Sequence, residues 1–442
     1  MDALLCAACL GMLALGANGT AIMAALPTMR RDLALNSGDL EWAINAYLVV
    51  SAACIIPGGR LSDLVGAHRI AQLGLLLFAA ASILNAVALT PATLLFGRAF
   101  QGLGAALAVP GTLAAIGTAT TNRAAKIGAW AGFLMLGFSI GPLMGGTLTH
   151  YLGWRTIFWC TAVAMLAAAG IFLARRDAEP ALQTARLGRL DWAGFVLVAV
   201  VMTSLVATLQ AIPSAREAPA RLLIRALIAC GAFLLLWRTE PHEQAPVLDW
   251  RMLSRPPFWR ALAVGSIAMF SILALLLYFN LDAQNPKGFG FSAVKAGLFL
   301  LPLSAGLLLF AFLGPVLIRR AGPRTVLTAA MAVIVVASAG LAACAAARAL
   351  IPLGVGLFAM GAGLALPYAT APRMALAALP AEQAGQGSGI INACTFLGGS
   401  VGVACGAIVF GFGGLPAVLG MIAVAALAGA WICRGLATEP RT

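Results

Sequence analysis

The chain has 442 residues, of which 62% are hydrophobic and 10% are charged, and it carries a net charge of +13. Its mean hydropathy is +0.97. A soluble protein of this size does not need so many apolar residues for its core, so most of the chain must be embedded in lipid. The composition excludes a soluble enzyme, and it leaves no compact soluble domain that could bind nucleic acid. The surplus of basic residues indicates contact with anionic lipid.

A membrane-spanning helix needs about 20 predominantly apolar residues, and the sequence predicts fourteen such spans. The eighth is the weakest because Arg221 and Arg225 lie in its first turns and must reach the membrane surface. Lys and Arg are about twice as frequent in the loops on one side, which predicts that both termini are cytoplasmic. The first run is predicted to be an uncleaved span rather than a signal peptide. The spans lie roughly at 3–27, 42–60, 70–89, 93–119, 127–149, 156–174, 192–212, 219–237, 260–281, 294–318, 325–347, 349–372, 385–411 and 415–433, the last two separated at Gly411–Pro416.

The segment Gly58–Arg69, reading GGRLSDLVGAHR, is predicted to be a short charged turn between the second and third spans. Its glycines allow two helix ends to approach, and Asp63 lies between arginines with which it can form a latch. The segment Gly314–Arg324 repeats this layout in the second half, as an internally duplicated carrier would. The residues that carry this first motif are Gly59, Arg60, Asp63, Gly66 and Arg69.

Two spans carry unusual residues. Arg98 lies inside the fourth span, where burying an arginine costs about 2.5–3.5 kcal/mol, so it is expected to face a polar partner unless it reaches the surface. The fifth span has the pattern GxxxGPxxGG, which predicts close helix contact and a kink. Generic tight packing is the alternative explanation of that pattern. Its residues are Gly137, Gly141, Pro142, Gly145 and Gly146.

Together with Glu41–Leu48 and Leu190–Gly194, these motifs resemble the fourteen-span drug:proton antiporter branch of the major facilitator superfamily. The resemblance implies an all-α integral membrane protein with two six-helix bundles, residues 1–176 and 258–442, and a two-helix insert with its linkers at 177–257. It also implies a monomer in a bacterial cytoplasmic membrane that exchanges a small molecule for protons. In that branch the first turn is a cytoplasmic gate, the arginine of the fourth span is associated with proton coupling, and the glycine motif is associated with antiporters.

The chain departs from this pattern at the acidic residue that the branch usually has in its first span. The branch has a D-x-T sequence in its first span, whereas this chain has Asn18-Gly19-Thr20, and asparagine cannot titrate. Proton antiport needs a group that alternates between charged and neutral forms. The remaining candidates for proton coupling are Arg98, Asp282 and Glu41, although a solvated acid at a helix end is the alternative explanation of the last two.

The sequence predicts a proton-coupled exporter of hydrophobic or amphipathic molecules, and a facilitator or specific metabolite carrier of the same fold is the alternative. The sequence has no phosphate-binding loop of the kind that an ATP-driven pump needs and no acidic cluster of the kind that a prenyl transferase needs. A membrane sensor that transports nothing remains a possible interpretation. Nine dispersed cysteines and three distant histidines predict no metal site, and no cofactor is expected. Candidates for the substrate cavity, each of which can instead be a packing residue, are Asn18, Met23, Asn45, Gln101, Phe138, Tyr278 and Asn392.

Overall fold

The computed structural model describes residues 3–117, 123–174, 191–212, 218–239, 250–286, 288–347, 349–379 and 384–436. These residues form fifteen helices: α1 (Ala3–Asp32), α2 (Ser37–Val65), α3 (Ala67–Ala86), α4 (Pro91–Gly117), α5 (Arg123–Leu152), α6 (Arg155–Ala174), α7 (Trp192–Ala211), α8 (Pro219–Thr239), α9 (Trp250–Leu253), α10 (Pro256–Gln284), α11 (Ala293–Phe299), α12 (Leu301–Ala321), α13 (Pro323–Ala347), α14 (Leu350–Ala377) and α15 (Ala384–Arg434). The all-α prediction is confirmed.

Within the described residues, thirteen helical stretches are long and apolar enough to cross a membrane. The stretch Ala293–Ala321 joins α11 and α12 into one span. The last stretch, Gly387–Arg434, has 48 residues and is interrupted by non-helical backbone at Gly413 and Gly414. Since that interruption lies inside the predicted break, α15 contains two spans, and the count agrees with the fourteen predicted from the sequence.

Polar side chains start several helices where the sequence has the appropriate residues. Asn36 caps α2: its side chain accepts from the backbone N–H of Asp39 at 2.8 Å, and the Asp39 carboxylate accepts from the Asn36 N–H at 3.0 Å. Asp191 caps α7 by accepting from the Gly194 N–H at 2.7 Å. The predicted start of the seventh span is therefore a helix cap.

The turn between α2 and α3 is much shorter than predicted. α2 continues to Val65 and α3 begins at Ala67, so Gly66 alone reverses the chain, with φ of 108°. Gly322 does the same between α12 and α13, with φ of 77°. Each glycine donates its N–H to the carbonyl four residues earlier, at Ser62 and Ile318. A positive φ favours glycine, and this shared geometry explains the sequence repeat.

The chain divides into two compact units. The first comprises Met1–Gly19, Thr28–Phe138 and Tyr151–Asp249, and in it α4 packs on α2 and α3, α3 on α6, and α7 on α8 and α2. The second comprises Thr20–Pro27, Ser139–His150 and Trp250–Thr442, and in it α10 packs on α14 and α15, and α13 and α12 pack on α14. Of the first predicted charged linker, 175–191, only Asp191 lies in the described ranges. Residues 240–249 of the second, 238–260, lie outside them, and its remaining residues include α9 and the start of α10.

Candidate functional site

Arg98 lies in the interior of the first unit. Its side chain is 0% exposed, so it does not reach the surface. Its Nε donates to the carbonyl of Ala43 at 2.7 Å. Its Nη1 donates to Asn18 Oδ1 at 3.0 Å and to Gln101 Oε1 at 2.7 Å. The guanidinium also lies 4.7 Å from the centre of the Tyr47 ring, a favourable cation–π distance. The structure thus surrounds this arginine with polar and aromatic groups.

Asn18 has a defined orientation in this site. An arginine can only donate hydrogen bonds, so the atom that faces Arg98 must be the carbonyl oxygen of the amide. The Asn18 Nδ2 then donates to Thr161 Oγ1 at 3.2 Å, and the Thr161 hydroxyl donates to the carbonyl of Ile157 at 2.8 Å. Asn18 therefore occupies the place of the expected aspartate and accepts from Arg98 as an aspartate would, but it carries no charge and it donates to Thr161, where a carboxylate could only accept.

Gln101 extends the bonding to α3. Its Oε1 accepts from Asn85 Nδ2 at 3.0 Å as well as from Arg98. Its Nε2 donates to Ser82 Oγ at 2.8 Å. A Cβ atom at Gly97 would overlap the Asn85 amide, so the glycine before Arg98 makes room for this connection. We call the six buried side chains the Arg98 network: Asn18, Ser82, Asn85, Arg98, Gln101 and Thr161.

The Arg98 network holds one positive charge and no carboxylate. All three acceptors of the Arg98 hydrogen bonds are neutral. Its second terminal nitrogen, Nη2, is buried and has no hydrogen bond among the residues that the structure describes, and the same is true of Asn85 Oδ1. Three of the five guanidinium N–H bonds are thus used, and the remaining two are on one nitrogen.

Glu41 is a second buried polar site in the first unit. It lies near the start of α2, and its Oε2 atom is buried without a hydrogen bond. Gln210 of α7 is its polar neighbour, yet neither the oxygen nor the nitrogen of the Gln210 side chain completes a hydrogen bond within the described residues. The two side chains place a carboxyl group beside an amide, with little access to water.

The structure places four further predicted residues, three of them proposed for the cavity and Asp282 for proton coupling, as follows. In the second unit, the Tyr278 hydroxyl donates to the Val403 carbonyl at 2.7 Å, and Asn392 donates to Ser388 in its own helix at 2.9 Å. Asp282 is half-buried at the end of α10, and Met23 is fully buried in α1.

Two predicted residues of the first unit lie near the network. Asn45 is fully buried on α2, two residues after Ala43. Phe138 lies beside α1, where a Cβ at Gly19 would be 3.6 Å from its ring. Asn18, Arg98 and Gln101 are the predicted residues that direct hydrogen bonds join.

The glycine motif of α5 packs against α1. A Cβ at Gly137 would overlap the Leu13 carbonyl, and a Cβ at Gly16 would overlap the Leu134 carbonyl. Farther along the motif, Gly145 faces the Ala21 backbone in the same way. Small residues let the two backbones approach, as they do in other membrane helix pairs.

The predicted gate residues flank the Gly66 turn. Arg60 is exposed near the end of α2, Gly59 is half-buried, and Arg69 is half-buried in the first turn of α3. The side chain of Asp63 lies outside the part of the chain that the structure describes, so its latch to the arginines stays a prediction.

Comparison with known proteins gives the family. The sequence profile of the Major Facilitator Superfamily matches residues 8–403. This chain belongs to the Major Facilitator Superfamily. It is accordingly a multi-pass membrane transporter of small molecules and not an enzyme, which confirms the resemblance drawn from the motifs.

Relatives of this superfamily member have names that refer to drug resistance. The chain is 30% identical to the puromycin resistance protein pur8 of Streptomyces alboniger, over 88% of this chain and 77% of the relative. It is 29% identical to the multidrug resistance protein Stp of Mycobacterium tuberculosis, over 89% and 73%. It is 26% identical to the tetracenomycin C resistance and export protein of Streptomyces glaucescens, over 90% and 74%.

Three members of the Arg98 network were not predicted from the sequence: Ser82, Asn85 and Thr161. A usable signal was present, because Ser82 and Asn85 are three residues apart in the apolar second half of α3 and so lie on one face of the helix. Polar residues within a membrane helix usually face the protein interior. Their partners are on other helices, and the sequence alone does not give that pairing.

Proposed function

We propose that this transporter exports hydrophobic or amphipathic small molecules in exchange for protons. The observation that carries the proposal is the set of relatives named for resistance and export, each aligned over most of both chains. We further propose that residues 1–176 and 258–442 alternate access across a bacterial cytoplasmic membrane, with the insert 177–257 between them. In this proposal the protein works as a monomer with both termini in the cytoplasm. The Gly66 turn and the arginines beside it act as the gate, and the α5 glycines allow the helices to move.

Glu41 is the best supported proton carrier. A proton-coupling acid must be shielded from bulk water and must lack a fixed counter-charge, because a permanent ion pair would keep it ionised. The buried, unbonded Oε2 of Glu41 meets the first condition. Its polar neighbour Gln210 is neutral and can bond to either protonation state. Asp282 is half-buried and is the second candidate.

A facilitator without proton coupling is the second candidate function, and Asn18 is the observation that favours it. The position of the expected acid is occupied by an amide that already bonds Arg98 and Thr161. A proton cannot be carried at that position, so coupling requires an acid elsewhere.

Proton release from inside-out vesicles distinguishes the two functions. Vesicles with an acidic interior are challenged with a panel of lipophilic dyes and drugs, and the internal pH is followed. We expect proton release on addition of a substrate, and we expect Glu41→Gln to abolish it while the purified variant still binds that substrate. Asp39→Asn, two residues earlier in the same helix, is the control and is expected to retain the response. Transport of a compound without a proton signal would support the facilitator, and an intact signal in Glu41→Gln would exclude Glu41 as the carrier.

A further inference from the structure

The Arg98 network lacks a negative charge. Arginine remains cationic at any pH at which the protein is folded, and Arg98 is fully buried. A buried charge is tolerated when it is paired and hydrogen-bonded. The three acceptors that bond Arg98 are a backbone carbonyl and two neutral amides, so the charge is solvated but not compensated by them.

The unused bonding capacity is confined to Nη2. Nε and Nη1 have neutral partners, whereas Nη2 is buried and has none within the described part of the chain. Two N–H bonds on one nitrogen suit an oxyanion, and a charge-assisted bond to a carboxylate is about twice as strong as a neutral one. A cation or a neutral donor would gain nothing there, because every group on that nitrogen is a donor.

We propose that the Arg98 network binds the carboxylate of the transported molecule, so that the substrates of this transporter are amphipathic organic acids. This inference rests on the proposed export function, in which a conformational change during transport would give the substrate access to the buried Nη2. The carboxylate accepts from Nη2 and supplies the missing negative charge. Asn18 is the specificity determinant: an aspartate there would neutralise Arg98 from within and leave no need for an anion.

Asn18→Asp tests this directly because the variant is compatible with the fold. The new carboxylate would lie 3.0 Å from Arg98 Nη1, as Asn18 Oδ1 does now. The Thr161 hydroxyl, which now accepts from the amide, can rotate and donate to the second oxygen. Asn18→Leu is the matched control, since it has a similar volume, adds no charge and leaves Arg98 uncompensated.

The experiment measures equilibrium binding of three probes to the purified protein in nanodiscs at neutral pH: a lipophilic aryl carboxylic acid, its primary amide and the corresponding amine. We expect the wild type to bind the acid about tenfold or more tightly than the amide, as a charged hydrogen bond would give. Asn18→Asp is expected to remove that preference and to improve amine binding. Asn18→Leu, which loses the bonds to Arg98 and Thr161, is expected to bind all three probes more weakly while the acid still binds more tightly than the amide.

Equal affinity of the wild type for acid and amide would overturn the inference. An equal loss of the acid preference in Asn18→Asp and Asn18→Leu would also overturn it, because the network would then have only a structural role. Chloride is titrated into the complex of the protein with the aryl acid, to distinguish a site for a substrate carboxylate from a site for a free small anion. Acid binding that chloride does not affect supports the inference. Displacement of the acid by millimolar chloride refutes it. Since binding needs no proton gradient, vesicles that export neutral dyes while the protein shows no acid preference would refute this inference alone and leave the export function intact.

Discussion

Gln101→Leu is the sharpest test of the Arg98 network, because Gln101 bonds three other side chains. Its oxygen accepts from Arg98 at 2.7 Å and from Asn85 at 3.0 Å, and its nitrogen donates to Ser82 at 2.8 Å. Leucine has nearly the same volume and fits the helix, so the substitution removes bonds with little change in packing. Ser82 is least affected, since its hydroxyl still donates to Phe78 at 2.7 Å.

The expected loss follows from the donors left without acceptors. The unpaired amide of Asn85 costs about 1 kcal/mol, and one further charged N–H of Arg98 costs about 2 kcal/mol. We therefore expect the free energy of unfolding to fall by about 3 kcal/mol. The measurement is unfolding in mixed detergent micelles followed by circular dichroism. The double variant with Asn85→Ala should recover part of the loss, because it removes one of the unpaired donors.

Gln210→Leu is the matched control in the same unit. Gln210 is also partly buried beside Glu41, but neither of its polar atoms completes a hydrogen bond within the described residues, so its replacement removes poorly satisfied groups rather than well-formed bonds. We expect its stability to remain within about 1 kcal/mol of the wild type, or to rise. A loss below about 1 kcal/mol in Gln101→Leu, or equal losses in the two variants, would refute the claim that the network stabilises the first unit.

Two further predictions concern helix packing. Gly137→Ala is expected to lower the apparent Tm and to impair transport, because its Cβ would overlap the Leu13 carbonyl and overpacking costs about 1–3 kcal/mol. Gly128→Ala in the same helix is the control. Its Cβ would have no described atom within 4 Å, so this variant should be neutral or stabilising. Tyr278→Phe removes the bond to the Val403 carbonyl and should cost about 1 kcal/mol in the same unfolding assay, while an unchanged stability would show that this bond contributes nothing.

The spans were predictable because hydropathy and length specify them almost independently of tertiary structure. The break at Gly413 and Gly414 was predictable for the same reason, since two glycines and Pro416 interrupt an uncharged run longer than one span. The predicted turn at Gly58–Arg69 was wrong in extent. Charged residues suggested a loop, but residues through Val65 continue the helix beyond its apolar part, and a single glycine makes the reversal.

The site was only partly predictable. Arg98 and Asn18 can each be identified from the sequence: Arg98 because a charge inside a membrane span is costly to bury, and Asn18 because it replaces the aspartate of the family pattern. Their hydrogen bond joins residues 80 positions apart, and the bond from Asn18 to Thr161 joins residues 143 positions apart. Pairings of this kind depend on how helices are placed beside one another, which hydrophobic periodicity does not encode.

Asparagine at position 18 also separates two tasks that an aspartate would combine. An aspartate beside Arg98 could balance the arginine while the two are paired, and it could carry the proton once a conformational change breaks the pair. With an amide there, the balancing charge has to come from another molecule and the proton from another acid. Glu41 is suited to the second task by position: it lies two residues before Ala43, whose carbonyl accepts from Arg98 Nε at 2.7 Å. A shift of this part of α2 on protonation of Glu41 would therefore move a carbonyl that accepts a hydrogen bond from Arg98. If proton and anion sites are coupled in this way, Glu41→Gln should change acid affinity as well as proton release, and an unchanged affinity would show that the two sites act independently.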